Sequence, residues 1–167
     1  MGNHKRFNTT GICIPSLHYM VDTTDMIRQI IEDYIEQGEY FTINRARQFG
    51  KTTTLELIYQ KLKEKYVVLD LSFEAADEYF QSLESLAKGL TMDIADRLEQ
   101  QGCSDAVREE WKVPVSEEFP LREFGRKITA LCRRCDREVI LIIDEVDKNA
   151  DNQIFLTFLG LLREKYL

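Results

Sequence analysis

The chain has 167 residues, of which 44% are apolar and 31% charged, the size and balance of one globular domain able to bury its own core. Its 22 Lys and Arg against 29 Asp and Glu leave a net charge of −7, and the cations are dispersed apart from Arg45, Arg47 and Lys51, which argues against a surface that grips DNA or RNA by itself. No apolar run approaches 18 residues and no targeting stretch is visible, so the sequence predicts no membrane span and a cytoplasmic protein.

Residues 1–21 read as a loop-rich N-terminal strap and 22–167 as the core. Asp22 or Thr23 caps a helix whose Met26, Ile27, Ile30, Ile31, Tyr34 and Ile35 recur every three to four positions, and Gly38 ends it. Tyr40 to Ile43 is a short apolar strand; Asn44 to Thr53 follows as a loop, and the next helix buries Leu55, Ile58 and Leu62. Tyr66 to Phe73 is a second strand. From Phe80 to Leu98 the period is helical, 102–120 reads as a loop or small insertion around Trp111, and a helix runs from about Leu121 to Cys135. A third strand, Val139 to Ile143, is closed by Asp144 and Glu145, and a last amphipathic helix runs from about Asn152 to the end. Alternating strands and helices point to an α/β fold, a doubly wound three-layer sheet that is mostly parallel.

Cys132 and Cys135 form a C-x-x-C, but their spacing continues the apolar face of Leu121, Phe124, Ile128 and Leu131. They are expected to be buried free thiols rather than metal ligands, because no second pair of Cys or His answers them.

The chemistry concentrates at two places. The first is Arg45-Ala46-Arg47-Gln48-Phe49-Gly50-Lys51-Thr52-Thr53, where a strand turns into a helix. The N–H groups and positive dipole end of that helix suit a polyphosphate, and Gly50 lets the backbone approach it. Lys51 supplies an ammonium for the β- and γ-phosphates, and the Thr52 hydroxyl a ligand for Mg²⁺. The pattern G-x-x-x-x-G-K-S/T is broken at its first position, where Arg45 stands in place of Gly. The second place is Val139-Ile140-Leu141-Ile142-Ile143-Asp144-Glu145, an apolar run indicating a strand buried on both faces. Asp144 at its C-terminal end would hold the Mg²⁺ shell, and Glu145 would orient and polarise the attacking water.

Together with Tyr19-Met20-Val21-Asp22, Gly38-Glu39-Tyr40-Phe41 and Ile142-Ile143-Asp144-Glu145-Val146-Asp147, these stretches resemble the P-loop ATPases of the AAA-like, signal-transduction type. More narrowly they resemble the bacterial AAA-ATPase-like proteins, in the N-terminal part of the ATPase domain. Members commonly show an Arg, Arg/Gln, x, Gly-Lys loop, which accommodates Arg45. The resemblance implies an ATP-binding, ATP-hydrolysing domain with ATP and Mg²⁺ as cofactors, Gly50, Lys51, Thr52 and Thr53 on phosphates and metal, and Arg47, Gln48 and Phe49 as loop residues near the nucleotide. It assigns Asp144 to Mg²⁺, makes Glu145 and Lys51 the catalytic pair, and puts Asp147 where relatives often keep an extra acid. It further implies an oligomer or a C-terminal output module in the full-length protein. In this class a sensor strand and an arginine finger follow the Asp-Glu strand; they are not in this sequence, so the expectation is a truncated AAA-like core with an open slot in its sheet. A nucleotide-binding regulatory module with little hydrolysis is the alternative. A small-molecule kinase lacks the lid arginines it would need.

Overall fold

The computed structural model describes residues 4–8, 13–14, 16–44, 50–74, 76–146 and 152–166. The chain divides into two compact units, Met1–Lys61 and Leu62–Leu167.

In the first unit Arg6 and His18 form an isolated parallel bridge. Arg6 N–H donates to Leu17 O at 3.0 Å and Tyr19 N–H to Arg6 O at 2.9 Å, and the rings of Phe7 and Tyr19 lie 5.1 Å apart. His18 is buried, and its Nδ1 accepts the Ile14 N–H at 2.9 Å, so the imidazole serves the turn that carries it. Helix α1 spans Thr24–Ile30 and begins where the Asp22 carboxylate accepts the Thr24 N–H at 2.9 Å. The bonds to Thr24 hold the Asp22 carboxyl below its ordinary range, as expected for an acid at a helix start. The same helical path then widens into a π-helical turn, Ile31–Ile35, with Glu36 N–H reaching Ile31 O at 2.8 Å. Gly38 ends it at φ +69°, a conformation that favours glycine.

The expected strand Tyr40 to Ile43 does not appear among the described strands, which are the two of a single small sheet. Tyr40 and Thr42 are exposed, and Phe41 packs its ring 5.1 Å from Tyr34 at the preceding turn. Helix α2 spans Lys51–Leu62. Within it Ile58 and Leu62 are buried and Leu55 half-buried, as its periodicity predicts.

The second unit is built on a two-stranded parallel sheet, β1 (Val67–Ser72) with β2 (Val139–Asp144), in the register Val67↔Val139 through Ser72↔Asp144. Between the strands run a 3₁₀ turn, Asp77–Gln81, and three helices: α3 (Leu83–Gln100), α4 (Asp105–Lys112) and α5 (Pro120–Arg134). Helix α6 (Gln153–Tyr166) follows β2. Val67, Leu69, Leu71 and Phe73, alternate residues on one face, enter a core shared with α3, α4, α5 and α6, and Val139, Leu141 and Ile143 join from β2. Phe73 sits at its aromatic centre, edge-on to Phe80, Phe155 and Phe158 at 5.2, 5.9 and 6.4 Å.

Three expectations are corrected here. The stretch 102–120 is not all loop: α4 buries Val107 and Trp111, one turn apart, against this core. The strand Val139 to Ile143 is not buried on both faces, because every residue of β2 is only half-buried while β1 buries four of its six. A strand with one neighbour keeps half of its surround open. Cys132 is exposed and Cys135 half-buried, so the pair does not share a buried face; all four cysteines are free, and burial pushes the Cys135 thiol up to about 11.

Side chains from α3 and from its C-terminal cap, Gln101, close the other side of β1. The Gln101 amide accepts the Val68 N–H at 2.9 Å and donates to Val68 O, pairing with the strand as another strand would. Arg97 Nε donates to Asp70 O at 2.9 Å and lies 3.0 Å from the Asp70 carboxylate. Arg137 gathers the opposite end of the sheet, donating to the carbonyls of Lys63, Tyr66 and Gln101. On α3, Ser82 caps the first turn, accepting the Ser85 N–H at 3.0 Å. Gly89 lies against the Tyr79 ring, where a Cβ would come within 2.5 Å. The Tyr79 hydroxyl donates to the Asp93 carboxylate at 3.1 Å, and burial together with that charge pushes the phenol up to about 12.

Candidate functional site

The residues singled out in the sequence fall at two chain positions, one in each unit, and each is set by a local backbone event. In the first unit Gly50 has φ +73°, a value open to glycine and costly to other residues. Its carbonyl accepts the Thr54 N–H at 2.8 Å, so Gly50 is the residue on which α2 begins. No described residue comes within 4 Å of where a Cβ on Gly50 would stand, which leaves room beside the backbone. Lys51, Thr52 and Thr53 then form the first turn of a twelve-residue helix, whose dipole places roughly half a positive charge there. Thr52 is exposed, Lys51 and Thr53 are half-buried, and Thr54 turns inward and is buried.

The Thr53 hydroxyl accepts the Cys13 N–H at 3.3 Å. This bond fixes strap residue 13 against the start of α2, and its hydroxyl proton remains to be donated elsewhere. No motif marks it; the strap's alternating apolar residues suggest packing, not a backbone bond to Thr53. Arg45, Arg47, Gln48 and Phe49, and Asp147 in the second unit, lie outside the described residues.

In the second unit Asp144 is the last residue of β2, opposite Ser72 at the same end of β1. Both strands therefore end together, at the carboxyl edge where open α/β sheets bind ligands. The Asp144 Oδ1 accepts the Glu145 N–H at 2.8 Å, and Phe73 N–H donates to Asp144 O at 3.2 Å, so both the side chain and the carbonyl of Asp144 are held. Glu145 has φ +58°, the single non-glycine positive φ among the described residues. A left-handed glutamate costs on the order of 1 kcal/mol or more, and such strain clusters at sites that need a side chain aimed in one direction. Residue type alone could not have revealed this, since glutamate carries no left-handed preference.

The donor atoms of Thr52 and Asp144 are a hydroxyl and a carboxylate, hard oxygens of the kind that suit Mg²⁺. No group of three or more His, Cys, Asp and Glu among the described residues could hold a metal ion unaided. Mg²⁺ does not require one, because it keeps several waters and takes one or two protein ligands with the phosphates of its substrate. No described helix is long and apolar enough to cross a membrane.

No curated protein and no solved structure matches the chain. A family model described as an AAA-like domain matches residues 11–166, and the chain belongs to that family.

Proposed function

We propose that this AAA-like domain binds ATP with Mg²⁺ at the start of α2 and hydrolyses it, acting as a switch or motor for an output module. Family membership supports nucleotide binding in general terms. The observation that carries the finer reading is Gly50, left-handed and open at the position of its missing side chain, leading directly into Lys51, Thr52 and Thr53. In this reading the first turn of α2 receives the phosphates, the Lys51 ammonium binds the β- and γ-phosphates, and Gly50 leaves space for them. Arg47, Gln48 and Phe49 complete the loop around the nucleotide. The Thr52 hydroxyl and the Asp144 carboxylate would hold Mg²⁺, which when bound offsets the charge on the phosphates. Glu145, its backbone held by its φ and by the bond from its N–H to Asp144, orients the attacking water and takes its proton.

The proposal extends to architecture. Residues 1–21 act as a strap on a core of 22–167, and the parallel pair β1 and β2 belongs to a three-layer sheet that further strands complete. Four free cysteines and an ATP substrate favour a cytoplasmic setting. The runner-up, a nucleotide-binding regulatory module with little hydrolysis, rests on Arg45 in the place of the first loop glycine.

Titration with a fluorescent ATP analogue tests the binding site. Lys51→Ala should weaken affinity roughly ten- to a hundredfold, the worth of one charge-assisted contact. Equal affinity in two folded proteins sinks the assignment. Glu145→Gln should retain ATP and lose turnover, while Asp144→Ala should weaken Mg²⁺-dependent binding itself. Phosphate release that survives Glu145→Gln moves the base role to another residue.

A further inference from the structure

The second unit carries a cleft that the nucleotide reading does not use. It lies between α5 and α6, has a volume of about 450 Å³, and is lined by Leu121, Arg122, Arg126, Thr157, Leu161, Glu164 and Lys165. Volumes of a few hundred Å³ are those of small-molecule sites. Arg122 and Arg126 stand four residues apart on α5, hence on one face of it, and Lys165 faces them from α6. All three are exposed, and none makes a salt bridge with a described residue.

Several details keep the cleft positive in a chain whose net charge is −7. Glu123, the acid in the first turn of α5, is turned to Ser116, which donates to it from its N–H at 2.7 Å and its hydroxyl at 2.6 Å. Glu164 is the one carboxylate among the described residues of the lining. Residue Phe119 caps α5 without a side-chain bond, so the positive end of that helix is not offset by a capping oxygen. Thr157 spends its hydroxyl proton on Gln153 O of its own helix at 2.8 Å, leaving recognition to the cations. Leu121 and Leu161 give a half-buried apolar floor, and Gly125 permits the close approach of the helices: a Cβ there would meet Leu161 at 3.0 Å and Lys165 at 3.2 Å.

We propose that the α5–α6 cleft is a second ligand site, which binds a small multivalent oxyanion between Arg122, Arg126 and Lys165. Guanidinium groups pair with phosphate or carboxylate oxygens two at a time, and two of them on one helix face select a ligand with more than one anionic group. The site is separate in sequence and in composition from the first turn of α2.

Calorimetric titration of the full chain carrying Lys51→Ala with inorganic pyrophosphate tests this, since that background weakens the phosphate loop and leaves the cleft intact. Pyrophosphate should still bind. Adding Arg122→Gln and Arg126→Gln, both at exposed positions, should weaken it by about tenfold or more. Glu164→Gln should instead tighten it by roughly two- to fivefold, a gain that damage to the fold cannot imitate. Citrate run in parallel reads the anion class: the same mutational pattern supports carboxylates as well, and silence beside bound pyrophosphate supports phosphates alone. If neither anion binds in the Lys51→Ala chain, or if the arginine substitutions leave binding unchanged, the proposal is overturned.

Discussion

The two edges of the small sheet are treated in opposite ways. Along β1 the backbone groups that point away from β2 are taken: Gln101 holds both the N–H and the carbonyl of Val68, and Arg97 holds the carbonyl of Asp70. Along β2 the bonds Val67 N–H to Glu138 O and Phe73 N–H to Asp144 O fix which residues face β1, so Val139, Leu141 and Ile143 present their backbone outward. No described residue pairs with them. An unpaired edge is a template for another strand, and a blocked one is not. Helix α3 thus limits sheet growth on the β1 side, and any strand added to this pair has β2 as its place.

Proline substitutions in β2 should give the largest effect and the sharpest test of that contrast. Ile142→Pro removes a bond to β1 and should cost about 3 kcal/mol or more, whereas Leu141→Pro, whose N–H points outward, should cost less by about 0.5 to 1.5 kcal/mol. Urea unfolding measures both, and equal costs would mean that the outer edge of β2 is also paired. Next comes Gln101→Leu, which strips two buried backbone groups of their partners and should cost roughly 2 to 4 kcal/mol. A loss below about 1 kcal/mol would show water taking over that edge without penalty. Arg97→Met should cost roughly 1 to 2 kcal/mol, less because the Asp70 carboxylate is partly solvated. At the small end, Glu145→Asn should raise stability by about 0.5 to 1 kcal/mol, since asparagine accepts the left-handed backbone more readily. A drop in melting temperature there would mean that the glutamate side chain is held by contacts that outweigh its strain.

Helices with strong apolar periods were legible almost to their ends: the pattern from Leu121 predicts α5, and that from Asn152 predicts α6. The strands Val67–Ser72 and Val139–Asp144 follow from their β-branched runs. What failed depended on neighbours. Tyr40 to Ile43 has strand composition, but strand pairing is a property of two segments, and the described sheet holds only β1 and β2. Helix α4 was hidden because its buried stripe is only Val107 and Trp111, too short a period to stand out beside two prolines. Cys132 shows the limit of a helical wheel: Leu131 beside it is buried and Cys135 still packs against the core, while Cys132 falls outside that stripe and is exposed. At the candidate site, residue types placed Gly50, Lys51, Asp144 and Glu145 at a helix start and a strand end, but the Cys13 bond to Thr53 links residues forty apart and left no trace in local pattern.

Trp111 is the only tryptophan in the chain, and it lies in the second unit, 1% exposed, edge-on to Phe124 with the Lys127 ammonium 5.6 Å over its ring. Indole emission shifts to the blue when water is excluded, so the tryptophan emission of this protein, excited beyond the tyrosine band, is an optical label for Leu62–Leu167 and is blind to Met1–Lys61. Circular dichroism, which sees α1 and α2 as well, averages over both. Melting curves recorded by the two signals on one sample should coincide if the units unfold as one cooperative body and separate if they do not. The same indole offers a way to follow an anion entering beside α5 without attaching any dye, because α5 carries both Phe124 at the ring and Arg122 and Arg126 at the cleft.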